Sequence, residues 1–203
     1  VIFTTDHGFY HGDHGLIGKM HISPQESYNV PLYEQVAHIP LMIRYPGAAP
    51  RRESAIVQPV DLMPTLLDLA RADIPDSVQG KSLAPLLRGG TAAARDMAIT
   101  SPTIIHKGTG RCRISVTTDD GWAFICAPHI QDDGEVLDRA VDGYEKRETF
   151  TQVASELYYL PDDPGQQHDV IGEHAEMASE LRQRLVAFLI AMGTAPELVT
   201  PWR

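Results

Sequence analysis

Two acid–imidazole pairs, Asp6-His7-Gly8 and Asp13-His14-Gly15, fall within the first 15 residues. A carboxylate beside an imidazole can ligate a divalent cation, and a following glycine lets the backbone turn sharply around it. The same tripeptide also serves as a turn with a capping aspartate, and spacing alone leaves both readings open. Lys19 lies twelve residues beyond His7, after a second glycine-rich turn. An ammonium near a metal-bound anion can neutralise charge developing on sulfuryl or phosphoryl oxygens; most lysines are simply solvated. His11, His14 and His21 crowd the same stretch, either orienting metal ligands from behind or serving as loop polar groups.

These side chains need a frame. Residues 1–5 (VIFTT) are apolar and β-branched and read as a short buried strand of a parallel sheet. Asp6 and His7 then stand at its carboxyl end, where open α/β sheets bind ligands. Residues 6–35 read as one long loop, and a loop of that length is usually functional or disordered. Residues 39–45 form a second strand stopped by Pro46-Gly47, and a short strand surrounds Ile56-Val57. VDLMPTLLDLARADIP is the clearest helix, with Asp61 as its N-cap and Leu62, Leu66, Leu69 and Ala70 on one apolar face. Residues 80–90 form a turn and a short helix.

The pattern then changes. RISVTTDDGWAFICAP is a hairpin around Asp-Asp-Gly, residues 131–150 read as an acidic loop, and ELYYL is a strand closed by PDDPG. HAEMASELRQRLVAFLIAMG is an amphipathic helix capped by Gly193, with Met177, Leu181, Leu185, Phe188 and Met192 on one side. The expected organisation is α/β over residues 1–97 and a small α+β subdomain, with antiparallel strands and a C-terminal helix, over residues 98–203.

A net charge of −10 argues against non-specific nucleic-acid binding, which needs positive charge to displace counterions. No apolar run approaches the ~20 residues of a membrane span. Cys112 and Cys126 flank the predicted hairpin and read as two free thiols.

The motifs in order resemble the second half of a sulfatase, a family of the alkaline phosphatase superfamily. They are strand-Thr-Asp-His-Gly, Gly-Asp-His-Gly-Leu, Gly-Lys, PLYEQVAHIPLMIRYPG, VQPVDLMPTLLDLARADIPDSVQGKSLAPLL and ELYYLPDDPGQQHDV. Where that family usually has Asn-Leu near the end of the last motif, this chain has Asp169-Val170. The resemblance implies the C-terminal part of an alkaline-phosphatase-like mixed sheet layered with helices. It implies that Asp6 and His7 ligate a metal, usually calcium, and that Lys19 holds the oxygens of a small sulfate-ester substrate. His11 and His14 remain candidates for orienting roles only.

Sulfatases attack with a formylglycine made from a Cys/Ser-x-Pro-x-Arg motif. Cys112 is followed by Arg-Ile-Ser-Val and Cys126 by Ala-Pro-His-Ile, so neither fits, and Ser101-Pro102-Thr103 does not fit either. The paired acids that complete the family's metal site are also absent from these residues. The expectation is a C-terminal portion with half a metal site and no nucleophile, inactive alone. Its uncovered strand would favour a homo-oligomer or a missing N-terminal half. An imidazole at the ligand position also suits phosphonate monoester or phosphodiester hydrolases of the superfamily. A non-catalytic C-terminal module is the third reading.

Overall fold

The computed structural model describes residues 1–18, 32–90, 95–101, 113–129, 136–139, 145–148 and 154–203. In chain order the strands are β1 (Ile2–Thr4), β2 (Tyr10–His11), β3 (Ile17–Gly18), β4 (Leu41–Ile43), β5 (Met97–Thr100), β6 (Ile114–Thr118), β7 (Trp122–Cys126), β8 (Val136–Arg139), β9 (Glu145–Glu148) and β10 (Glu156–Tyr159). The α-helices are α1 (Glu34–Ala37), α2 (Leu62–Leu69), α3 (Ala84–Leu87), α4 (Ala175–Ala191) and α5 (Pro196–Val199). They form two compact units. One comprises Val1–Thr5, Pro40–Ala98 and Thr117–Asp120; the other comprises Asp6–Ile39, Ile99–Val116 and Gly121–Arg203.

In the first unit β1 pairs with β4, Phe3 opposite Met42, and the pair is antiparallel, not parallel as expected. An apolar, β-branched run suits a strand of either direction, so composition carries no information on pairing sense. Nor is the strand buried: Phe3 and Met42 are each 58% exposed.

Helix α2 also differs from expectation, because it buries a polar face. Pro59–Asp61 form a 3₁₀ turn running into α2, with Gln58 as the N-cap. Asp61 therefore caps from the third position, accepting the Gln58 amide at 2.9 Å. Its other oxygen accepts the Lys81 amide at 2.7 Å, and the Arg95 guanidinium grips both oxygens. One turn on, the Thr65 hydroxyl donates to the Asp61 carbonyl and accepts the Leu83 amide at 2.8 Å. Asp68 takes the Ser82 hydroxyl at 2.7 Å and Arg88 at 3.0 Å. Asp61, Thr65 and Asp68 share one side of the helix because three to four residues make a turn. Gly80 belongs to the same joint: a Cβ there would lie 1.9 Å from the Val60 carbonyl oxygen. The predicted apolar face is instead partly open, with Leu66 52% exposed.

The second unit is built on a sheet of order β10-β7-β6-β5. The predicted hairpin is β6–β7, and β10 pairs antiparallel with β7, Leu157 opposite Phe124 and Tyr158 opposite Ala123. Side chains alternate across a strand. Helix α4 packs on β7, and the Arg182 guanidinium lies 5.8 Å from the Phe124 ring centroid. Arg182 also reaches the Ala127 carbonyl and the Ser155 hydroxyl. On α4, Ala178, Leu181 and Leu185 are buried, whereas Met192 of the predicted face is exposed. A separate cluster joins Ala123, Ile125 and Tyr158 of the sheet to Tyr10, Tyr33 and Val36. Part of the expected 131–150 loop is a ladder: β8 and β9 pair antiparallel. Among the described residues no helix is long and apolar enough to cross a membrane.

Candidate functional site

Asp6 and His7 follow β1 in the chain. The His7 amide donates to Asp6 Oδ1 at 3.0 Å, and the ring Nδ1 lies 2.7 Å from the Gly8 carbonyl oxygen. A carbonyl only accepts, so Nδ1 carries the proton in that contact. The other ring nitrogen, Nε2, faces Asp6 Oδ2 at 3.5 Å. With Nδ1 engaged, Nε2 presents its lone pair on the side of the Asp6 carboxylate, as a metal-ligating imidazole does. The donor set therefore fits a divalent ion, and the Gly8 carbonyl orients the ring for it. The site is open to further ligands, since the Asp6 side chain is 84% exposed and that of His7 33%. Among the described residues no group of three or more His, Cys, Asp or Glu side chains could hold a metal ion.

Gly8 is needed for closeness rather than for an unusual turn. A Cβ at this position would lie 1.9 Å from the Gln35 carbonyl oxygen. That approach lets the Gly8 amide donate to the Val36 carbonyl at 2.9 Å and the Phe9 amide to the Gln35 carbonyl at 3.1 Å. Helix α1 thus clamps the residues after the Asp6–His7 pair.

The second triplet forms the expected turn. Asp13–Gly15 make one 3₁₀ turn between β2 and β3, with His14 at φ 54°. The Leu16 amide closes it on the Asp13 carbonyl at 2.9 Å. The His14 ring lies flat on the Tyr33 ring, centroids 3.7 Å apart and planes at 11°. His11 sits on β2, exposed, beside Phe9. Lys19, His21 and most of the 20–35 stretch lie outside the described residues, as does the 102–112 loop.

Tyr33 leads to a polar centre within the apolar cluster. Its hydroxyl donates to Glu156 Oε2 at 2.8 Å, and that of Tyr158 donates to the same oxygen at 2.7 Å. Arg113 pairs with Oε1. Burial, and then the bonds to Glu156, push both phenols above the ordinary tyrosine range, so they stay protonated donors. Tyr10 is pushed up to about 12, chiefly by burial, and its oxygen accepts the Tyr33 amide at 3.0 Å. Cys126 is a free thiol, fully buried at the end of β7, and burial pushes it up to about 11. Such a thiol is not poised for attack.

Comparison with known proteins places the chain in the sulfatase class. The family model described as N-sulphoglucosamine sulphohydrolase, C-terminal, matches residues 28–153, and the chain belongs to that family. It is 30% identical to arylsulfatase K of Xenopus laevis over 189 residues, covering 91% of this chain and 30% of that protein. It is 39% identical to N-acetylglucosamine-6-O-sulfatase of Bacteroides thetaiotaomicron over 89 residues, covering 43% of this chain and 14% of that protein. The chain thus spans under a third of these relatives. Among solved structures it superposes on BT4656 in complex with its substrate D-glucosamine-2-N,6-O-disulfate (TM-score 0.63, 23% identity, all of this chain and 35% of that one). It also superposes on the phosphonate monoester hydrolase of Agrobacterium radiobacter (TM-score 0.63, 22% identity, 92% of this chain and 34% of that one). The fold is that of the alkaline-phosphatase-like enzymes, as the motifs implied.

Sequence reasoning missed Tyr33, Arg113 and Glu156 as structural partners of the Asp-His-Gly segment. One signal was present: Glu156 and Tyr158 are two apart on a strand and so share a face. A carboxylate on a face that also carries a tyrosine needs donors when that face is covered.

Proposed function

We propose that this chain is the C-terminal portion of a sulfatase-type hydrolase that cleaves sulfate esters by metal-assisted nucleophilic attack, the nucleophile lying in another part of the parent protein. The observation that carries this reading is the Asp6–His7 pair, with Nε2 turned to Oδ2 at 3.5 Å and Nδ1 engaged by Gly8, in a chain of this family. Asp6 and His7 would hold a divalent ion, most simply calcium, which supplies charge stabilisation at the ester oxygens. Calcium takes six to eight oxygen ligands, so this pair needs partners from elsewhere in the parent. Lys19 is assigned to the sulfate oxygens by its match to the family motif. The names of the relatives and the sugar bound by one structural neighbour support a sulfated sugar or aryl sulfate as substrate class.

Exposed Phe3, Met42, Met63 and Leu66 support covering of these faces by more protein, the rest of the parent or a second copy. The test is hydrolysis of an aryl sulfate and of an aryl phosphonate monoester by the full-length parent, with and without chelator. Chelator-sensitive sulfate hydrolysis abolished by Asp6→Asn is expected, and the 203-residue chain alone should be inactive. Preference for the phosphonate, or full activity in Asp6→Asn, would overturn the assignment.

A further inference from the structure

Glu156 lies 123 residues beyond Tyr33 and makes no contact with Asp6 or His7 in the interactions described above, yet the geometry connects them. Tyr33 is the junction. Its ring supports His14 by stacking, and among the described residues the buried His14 Nε2 has no hydrogen-bond partner. Its amide is held by the Tyr10 hydroxyl at 3.0 Å. Its carbonyl accepts the Val36 and Ala37 amides at 2.9 and 3.0 Å and so starts α1, the helix whose carbonyls receive the Gly8 and Phe9 amides. Three points along residues 8–14 therefore depend on where Tyr33 sits. Apolar packing alone lets a ring slide; a hydroxyl bonded to a charged acceptor fixes it. That acceptor is Glu156, held in turn by Arg113 and by Tyr158.

We propose that Glu156 and Tyr33 are positioning residues for the Asp6–His7 site: the carboxylate at the start of β10 fixes the Tyr33 ring, and Tyr33 fixes the segment carrying the pair. Tyr158 donates to the same oxygen and its ring meets the Tyr33 ring edge-on, centroids 6.1 Å apart, but it does not stack on His14, so its loss should reach the segment only through Tyr33 and more weakly. The inference rests on the sulfatase reading only for its effect on turnover.

In the full-length protein, Tyr33→Phe and Tyr158→Phe each remove one phenol–carboxylate bond while keeping the ring. Both should lower the melting temperature by similar amounts. Tyr33→Phe should speed amide exchange over residues 6–18 by about tenfold or more, the scale of a lost bond to a charged group, and Tyr158→Phe by a clearly smaller factor. It should also lower kcat for the aryl sulfate by a similar factor, with KM little changed. Equal exchange over 6–18 in the two variants, or none above wild type in Tyr33→Phe, would overturn the proposal. If the parent hydrolyses no sulfate ester, the exchange measurement still decides it, so the two failures are distinct.

Discussion

Replacing Gly8 with alanine tests how closely the candidate site is held. The added Cβ would meet the Gln35 carbonyl oxygen at 1.9 Å, the Gln35 carbonyl carbon at 2.9 Å and Val36 Cα at 3.0 Å. All three are backbone atoms, so no side chain can swing away. Real Cβ contacts do not fall below 3.0 Å, so the segments must part by at least 3.0 − 1.9 = 1.1 Å. The Gly8–Val36 and Phe9–Gln35 hydrogen bonds, now 2.9 and 3.1 Å, would stretch past useful length. Their loss costs about 1–3 kcal/mol together. The functional effect should be larger than the stability effect, because a displacement of about 1 Å in a catalytic constellation can cost ~100-fold in rate. Aryl sulfate hydrolysis by the full-length Gly8→Ala enzyme should therefore fall by about two orders of magnitude while its circular dichroism stays native. Turnover within about threefold of wild type would refute the reasoning, since a 1.1 Å shift beside His7 would then not matter.

Other outcomes follow from the structure. Asp61→Ala should destabilise by about 3–5 kcal/mol in urea denaturation, because it leaves the Arg95 guanidinium without its carboxylate. Asp61→Ala with Arg95→Met should cost less than the sum of the single changes. Burial raises the Asp61 pKa, but the bonds from Arg95, Lys81 and Gln58 outweigh it and hold the carboxyl below its ordinary value. Its stabilisation is thus fully present above about pH 4 and lost as pH falls through the lower folded value. The gap in stability between wild type and Asp61→Asn should accordingly shrink in acid, and a gap independent of pH from 6 to about 2 would contradict this. Cys126, pushed up to about 11 and fully buried, should resist a thiol reagent at pH 7 until the protein is unfolded.

Much of the frame was legible because it follows periodicity. The hairpin around Asp119-Asp120-Gly121, the strand at ELYYL and the long helix ending at Gly193 all appear where their patterns place them. Strand direction at VIFTT was not legible, since an apolar run is the same in either sense. The orientation of α2 was misread for a different reason. Leucines at helical spacing suggested the buried side, but Asp61, Thr65 and Asp68 turn toward residues 81–88 because unpaired amides and hydroxyls there need acceptors. At the candidate site, residue types and order identified Asp6 and His7. They could not reveal that Gly8 is required by the Gln35 carbonyl, because that contact joins segments 27 residues apart. Glu156 was hidden in the same way, its partner Tyr33 being 123 residues earlier.

That last separation has a consequence for biosynthesis. A ribosome adding about 5–20 residues per second needs roughly 6–25 s to travel the 123 residues from Tyr33 to Glu156. For that interval the Asp-His-Gly segment has been made, but the carboxylate that anchors its support has not. The Glu34 amide waits longer still, since its acceptor Gln166 is 132 residues downstream. Nascent chains interrupted in this window would carry the candidate ligands without their scaffold. The support of the candidate site is therefore complete only after β10 has been made.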